Sequence, residues 1–127
     1  MTPREVAENY WRIECTRDVP AILTCYAPDA ELVVPGLGRL VGHDQIWQFY
    51  QASVDRFPSL QVDIVGAIEL GDVGAFEWRS VFMDHKGARF RSKGANIIRV
   101  SGNRFQSVHV YYDPTELDAP AGDKEEP

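Results

Sequence analysis

Two charged residues with catalytic capacity stand two positions apart in a stretch of alternating character. Glu77 and Arg79 fall on one face of a predicted strand over 73–84, because side chains alternate along a strand. A carboxylate can accept and return a proton, and a nearby guanidinium favours its charged form. The opposite face carries Phe76, Trp78, Ser80 and Phe82. The alternation by itself favours burying this aromatic face and leaving the charged pair in water.

A neutral polar residue interrupts the next predicted strand, over 89–100. Asn96 stands among small and apolar residues in Gly94-Ala95-Asn96-Ile97-Ile98. A buried amide without hydrogen-bond partners costs roughly 2 kcal/mol or more. Its partners are either neighbouring side chains or a bound ligand, and the sequence leaves both open.

The first two helices are indicated by their N-terminal caps. Thr2 and Glu5 form a capping box around a proline, and the buried stripe that follows includes Tyr10. Asp18 caps a second, shorter helix whose inward face includes Tyr26. Both tyrosines are therefore expected on helices.

The rest of the body changes from helical to strand periodicity. A short strand is expected over 31–35, and a third helix from Gly42, with Phe49 and Tyr50 on its buried face, ends at Pro58. Four further strands follow at about 60–64, 73–84, 89–100 and 104–112. Helices followed by antiparallel strands indicate an α+β fold in which a curved sheet encloses a space against the helices.

Composition and charge predict one cytoplasmic domain with an acidic extension. The chain has 127 residues and a net charge of −6, of which residues 114–127, with five acids and one lysine, supply −4. Residues 1–113 are expected to form the domain and 114–127 a disordered tail. No basic patch suggests nucleic acid, no run of about 20 apolar residues suggests a membrane, and the first residues lack a secretory signal.

The cysteines and histidines do not show a ligand pattern. Cys15 and Cys25 are expected to be small buried thiols rather than a disulfide or metal pair. His43, His85 and His109 fall in unrelated segments. Neither a metal site nor a cofactor is predicted.

Three segments carry a resemblance to a known superfamily. They are Ala27-Pro28-Asp29-Ala30, residues 42–50 (GHDQIWQFY) and the closing strand 104–113, which ends Tyr111-Tyr112-Asp113. Over about residues 5–113 the chain resembles the nuclear transport factor two-like superfamily, in its SnoaL-like and ketosteroid isomerase branch. The resemblance implies a cone-shaped, curved, antiparallel (mixed) sheet wrapped on three N-terminal helices, with a pocket for a small hydrophobic molecule. Many unrelated functions share this scaffold.

The resemblance to ketosteroid isomerase assigns roles to four polar residues. Tyr10, Tyr26 and Tyr50 fall where that family keeps a hydrogen-bonded tyrosine group, and Tyr10 matches the tyrosine that donates to the substrate's carbonyl oxygen. Asn96 matches the second oxyanion donor, a protonated aspartate in the family; an amide can donate the same bond. The alternative is that the tyrosines only fill the core with their hydroxyls satisfied locally.

The carboxylates of the catalytic relatives are missing at their usual positions. Val34 stands at the isomerase base, and Val81 and Val110 stand at the acids of the limonene-epoxide-hydrolase-like branch. The resemblance places the strand face with Glu77 and Arg79 inside the cone, whereas the alternation taken alone leaves that face in water. Glu77, held by Arg79, is therefore the predicted proton acceptor.

These assignments together predict a ligand-binding enzyme that forms a dimer. The expected ligand contacts are Tyr26, Val34, Phe49, Tyr50, Val62, Val81, Val108, Val110 and Tyr112. The outer sheet face, expected to contain Phe76, Trp78 and Phe82, would form a homodimer. The expected activity is acid–base isomerisation, cyclisation or dehydration of a hydrophobic carbonyl, polyketide or steroid-like compound. A non-catalytic binding protein with the same pocket is the alternative; a protein-interaction module lacks a supporting motif.

Overall fold

The computed structural model describes residues 1–121 and has a six-stranded sheet wrapped on three helices. The helices are α1 (Pro3–Glu14), α2 (Val19–Leu23) and α3 (Gly42–Arg56). The strands are β1 (Tyr26–Val34), β2 (Gly38–Val41), β3 (Ser59–Leu70), β4 (Val73–Met83), β5 (Arg89–Ser101) and β6 (Arg104–Tyr112). Their order is β2-β1-β6-β5-β4-β3, with only β1 and β6 parallel among neighbouring pairs. The predicted α+β cone is confirmed.

The predicted cap of the first helix is present in full. The Thr2 hydroxyl accepts from the Glu5 backbone N–H at 3.1 Å, and the Glu5 carboxylate accepts from the Thr2 N–H at 2.9 Å. Two N–H groups that a helix leaves without partners are thereby satisfied. The cap fixes where α1 starts and therefore which of its residues face the sheet.

The second helix is shorter than the sequence predicted. It ends at Leu23, and Tyr26 is the first residue of β1 rather than part of the helix. Tyr26 pairs with Phe105 of the parallel neighbour β6, and the Phe105 N–H donates to the Cys25 carbonyl at 2.7 Å. Pairing with a strand about 80 positions later in the chain therefore overrides the local helical pattern.

The strand ladder decides which side chains face the helices. Phe76 stands opposite Asn96, and Ser80 stands opposite Ser92, across β4 and β5. Directly paired residues in an antiparallel ladder point to the same face. All four are on the buried, concave side, where α1 and α3 lie.

A bulge helps β3 follow the curve of the sheet. The register of β3 against β4 shifts between Ile64 and Gly66, which leaves Val65 without a paired residue. An extra residue in one strand bends that strand and increases its local twist. Curvature of this kind is what separates the sheet from the helices and leaves room between them.

The chain after β6 is folded as far as the structure describes it. Pro114–Leu117 form a 3-10 helix capped by Asp113, and the Ala121 N–H donates to the Arg89 carbonyl at 2.7 Å. This differs from the extension predicted to be disordered from residue 114. Residues 122–127 lie outside the described part. No helix within residues 1–121 has the length and apolar character to cross a membrane.

Gly94 is predicted to tolerate no side chain. A Cβ at this position would lie 2.3 Å from the Tyr111 carbonyl oxygen and 2.8 Å from the Trp78 ring. Because a backbone atom in the sheet cannot move aside cheaply, Gly94→Ala should lower the free energy of unfolding by about 2 kcal/mol. Urea denaturation measures this change.

Gly66 provides the matched control for that substitution. A Cβ there would meet the flexible end of the Glu77 side chain, which lies at the surface. Gly66→Ala should therefore change stability much less than Gly94→Ala. Equal losses in the two variants would contradict the explanation.

Candidate functional site

A pocket of about 770 Å³ opens between the concave face of the sheet and helices α1 and α3. This volume suits a small organic molecule. Both predicted oxygen donors line it, Tyr10 from α1 and Asn96 from β5. The predicted contacts that also line it are Val34, Phe49, Tyr50, Val62, Val108, Val110 and Tyr112.

The three tyrosines meet in one hydrogen-bonded chain although they come from three different elements. The Tyr50 hydroxyl lies 2.5 Å from that of Tyr10 and 2.5 Å from that of Tyr26. All three side chains are buried, but only Tyr10 and Tyr50 border the pocket. Tyr26 packs behind the pocket wall rather than lining it.

The direction of the hydrogen bonds in this chain of hydroxyls decides whether Tyr10 can donate into the pocket. Three hydroxyls carry three protons, and the two bonds centred on Tyr50 use two of them. If Tyr26 donates to Tyr50 and Tyr50 donates to Tyr10, the proton of Tyr10 remains available toward the pocket. Burial raises the pKa of each of the three hydroxyls, so all three stay protonated donors at neutral pH.

A buried carboxyl group that sequence reasoning missed lies beside these tyrosines. Glu14 is 9% exposed and lines the pocket. Burial raises its pKa to about 7, against the opposing effects of the Arg17 charge and of hydrogen bonding to Tyr10. The sequence did contain a signal: Glu14 follows Tyr10 by four residues, and residues four apart share a helix face.

Arg17 fixes the surroundings of this carboxyl group. Its Nε donates to the Phe57 carbonyl at 3.1 Å and its Nη2 to the Ser53 hydroxyl at 2.8 Å, which joins the ends of α1 and α3. Its Nη1 lies 3.9 Å from Glu14 Oε2 and has no hydrogen-bond partner within residues 1–121. This separation is too long for a strong bond, so burial is the larger influence on Glu14.

The predicted charged pair is not in the pocket. Glu77 and Arg79 are exposed on the convex face of β4, and Val81, on the same side, does not line the cavity. The inner face of β4 instead carries Phe76, Trp78, Ser80 and Phe82. The ladder requires this, because Asn96 is buried and its direct partner is Phe76. The alternation of residue types along β4 therefore predicted its buried face correctly, whereas the family resemblance placed the charged pair there.

The sheet wall adds polar groups that were not anticipated. Trp78 Nε1 donates to Asn96 Oδ1 at 2.9 Å, and the hydroxyls of Ser80 and Ser92 lie 2.6 Å apart. All four residues line the pocket. The sequence left open whether Asn96 bonds to a neighbouring side chain or to a ligand. In the structure its Oδ1 accepts from Trp78, and its side chain also lines the pocket.

Two arginines border the pocket, Arg39 from β2 and Arg56 from α3. Arg39 forms an ion pair with Glu31, which also contacts His109 Nε2 at 2.8 Å. Arg56 Nη2 donates to the Leu117 carbonyl at 2.6 Å, and Leu117 is itself a lining residue. The segment expected to be a free tail therefore forms part of the pocket wall.

Neither cysteine is paired, and burial raises the pKa of both thiols. Within residues 1–121, no three His, Cys, Asp or Glu side chains come together as metal ligands would.

Comparison with known proteins identifies the same fold. A sequence profile described as a SnoaL-like domain matches residues 7–108. A protein with a ketosteroid isomerase-like fold from Catenulispora acidiphila, solved with trimethylamine, superposes with a TM-score of 0.79 at 23% identity, covering 92% of this chain and 91% of that one. No curated protein matches the sequence.

Two further solved structures share the architecture at lower identity. TerC, co-crystallised with polyporic acid, superposes with a TM-score of 0.78 at 19% identity, over 91% of this chain and 95% of that one. An epoxide hydrolase of the LEH-like type from M. tuberculosis gives 0.77 at 14% identity, over 91% and 86%. At these identities the likeness shows the fold alone.

Glu14 is predicted to make stability depend on pH. Its pKa is 4.5 in the unfolded reference and about 7 in the fold, so between these values the native protein binds more protons than the unfolded chain. The free energy of unfolding therefore falls as pH rises through this window, by about 3 kcal/mol in total. Glu14→Gln removes this contribution, and urea denaturation at pH 4.5, 6 and 8 measures it.

The stability of Glu14→Gln relative to the unsubstituted protein should thus increase from pH 4.5 to 8. Glu77→Gln, on the exposed outer face, controls for the loss of one carboxylate. A pH dependence identical in both variants would show that Glu14 is not a buried acid.

Proposed function

Since the chain belongs to the SnoaL-like domain family, we propose that its pocket carries out general acid–base chemistry on a small hydrophobic carbonyl compound. The observation that carries this proposal is Glu14, a carboxyl group with a pKa of about 7 beside Tyr10 on the wall of the pocket. A pKa near the operating pH lets a group accept a proton and return it within one turnover. Glu14 takes the role that the sequence had assigned to Glu77.

The reaction begins with removal of a proton from the carbon next to the carbonyl group. The Glu14 carboxylate accepts this proton, and the electron pair of the broken C–H bond moves onto the carbonyl oxygen. Tyr10 O–H and the Asn96 amide supply hydrogen bonds to the negative charge that develops there. Burial makes these bonds more effective than the same bonds in water.

The fate of the enolate sets the reaction class. Return of the proton from Glu14 to a different carbon is an isomerisation, and loss of a hydroxyl group from the β carbon, with protonation of the leaving oxygen, is a dehydration. Attack of the enolate carbon on a second carbonyl of the same molecule is a cyclisation. The apolar lining and the volume of about 770 Å³ favour a polyketide-like or steroid-like compound.

A binding protein without chemistry is the second candidate function. It is favoured by Val34 and Val110, which line the pocket at positions where catalytic relatives place carboxylates. Solved structures of this fold with polyporic acid or trimethylamine are compatible with either candidate.

Hydrogen exchange at a model ketone separates the two functions. 1-Tetralone is hydrophobic, and deuterium incorporation next to its carbonyl in D₂O is followed by NMR without knowledge of the natural substrate. The protein should accelerate exchange, with a rate that rises with pH through about 7 as Glu14 ionises. Glu14→Gln should lose about 100-fold or more of the acceleration.

Glu77→Gln is the matched control, because it removes an exposed carboxylate from the outer face. Its exchange rate should equal that of the unsubstituted protein. Saturable tetralone binding without accelerated exchange would support the binding protein, and loss of exchange in Glu77→Gln alone would contradict the role of Glu14.

We also propose that the protein forms a homodimer through the outer face of the sheet, with residues that differ from those predicted. Phe76, Trp78 and Phe82 face the helices and are not available for such a contact. An apolar row crosses the outer face instead, in the register Ile68, Ala75, Ile97. Ile68 is 76% exposed and Ile97 is 44% exposed.

The opposite charges of Glu77 and Arg79 beside this row suit a twofold arrangement, in which each residue meets the other on the second copy. Ile97→Asp should therefore convert the dimer to a monomer, as measured by light scattering after size exclusion. Glu8→Lys, an exposed substitution on α1, should leave the molecular mass of the assembly at that of a dimer. A monomeric unsubstituted protein would contradict the proposal.

A further inference from the structure

The amide of Asn96 has a neighbour that can make only one kind of hydrogen bond. Trp78 Nε1 lies 2.9 Å from the Asn96 side chain, and both residues are buried on the concave face. They sit on adjacent strands, two positions apart in the ladder, so their side chains share a face of the sheet. An indole N–H is a donor and never an acceptor.

This chemistry settles which end of the amide faces the indole. A carbonyl oxygen can accept from the N–H, whereas an amide NH₂ in the same place would set two donors against each other. The oxygen of Asn96 therefore faces Trp78, and its Nδ2 is directed elsewhere. Nδ2 has no protein partner within residues 1–121, and the Asn96 side chain lines the pocket.

We infer that Trp78 is a positioning residue that holds the Asn96 amide with its NH₂ toward the ligand, and so makes this wall of the pocket selective for a hydrogen-bond acceptor. An amide free to rotate would present either its oxygen or its nitrogen. The wrong orientation would set the oxygen of Asn96 against a carbonyl oxygen of the ligand. The inference holds whether the pocket catalyses or only binds.

The structure also restrains Trp78 itself. Its ring lies over Gly94, where even a methyl group would come within 2.8 Å of it. The Tyr112 ring lies on another side, with the two ring centres 6.1 Å apart. The indole is thus held between two strands, and its N–H keeps its direction toward Asn96.

The ligand class follows from the direction of the donors. Asn96 Nδ2 offers hydrogens to the cavity, and Tyr10 does so as well when Tyr50 donates to it, so the matching part of the ligand is a carbonyl, enolate or ether oxygen. A ligand with the same shape and no oxygen would leave these donors unpaired. Unpaired buried donors are costly, so the preference between two such ligands should be large.

A matched pair of ligands and a matched pair of variants test the role of Trp78. 1-Tetralone and tetralin share a skeleton and differ mainly in the carbonyl oxygen; their dissociation constants are measured by NMR titration. The unsubstituted protein should prefer 1-tetralone by about 10-fold or more. Trp78→Phe keeps an aromatic ring and removes the N–H, and should lose most of this preference because its affinity for 1-tetralone falls more than its affinity for tetralin.

Trp47→Phe is the control, because it removes an indole N–H from α3 outside the pocket lining. Asn96→Leu should lose the preference as Trp78→Phe does, and the double variant should lose no more than either alone, since the two residues act as one unit. The carbonyl ¹³C shift of labelled 1-tetralone supplies a direct signature. It should move downfield on binding to the unsubstituted protein and less in Trp78→Phe.

An unchanged preference in Trp78→Phe would overturn the inference while leaving the pocket as a ligand site. Equal loss of both ligands would also overturn it, because that result indicates a packing role only. Failure of the unsubstituted protein to bind either ligand would overturn the inference together with the proposed function. Should Trp78→Phe not fold, two interconverting sets of Asn96 side-chain amide signals in the unsubstituted protein would contradict a locked orientation.

Discussion

The register of β4 against β5 is the constraint on which the site depends. It pairs Phe76 with Asn96, and directly paired residues share a face of the sheet. Once the Asn96 amide is buried, the aromatic side of β4 must line the pocket and Glu77 with Arg79 must face outward. A shift of one residue would exchange the two sets and give the pocket a different chemistry.

Buried polar groups inside the cone are tolerated because most of them are paired with one another. The tyrosine hydroxyls satisfy each other through Tyr50, and Asn96 accepts from Trp78. The charged partner of Glu14 is more distant, since Arg17 Nη1 stays 3.9 Å away. Burial therefore raises its pKa to about 7. The incomplete pairing that costs stability above this pH is the same property that suits Glu14 to proton transfer.

Much of the local structure followed from short-range chemistry. The capping box at Thr2, the cap at Asp18 and the alternation along β4 to β6 predicted three helices and five of the six strands, with the bounds of β4, β5 and β6 correct to within about one residue. The short strand β2 was not predicted. Prediction failed where a distant segment intervenes: the pairing of Tyr26 with Phe105 shortens α2, and the contact of Arg56 with Leu117 orders part of the expected tail. Local patterns contain no information on such partners.

The sequence by itself predicted the α+β cone, the presence of Tyr10 and Asn96 on the pocket wall, and the pocket face of β6 that carries Val108 and Val110. These depend on periodicity, caps and family resemblance, which are properties of neighbouring residues or of whole segments. Only the tertiary structure decided which carboxylate enters the pocket. The choice of Glu14 over Glu77 depends on strand register and on how far burial outweighs the charge of Arg17, and both arise from residues that are distant in the chain.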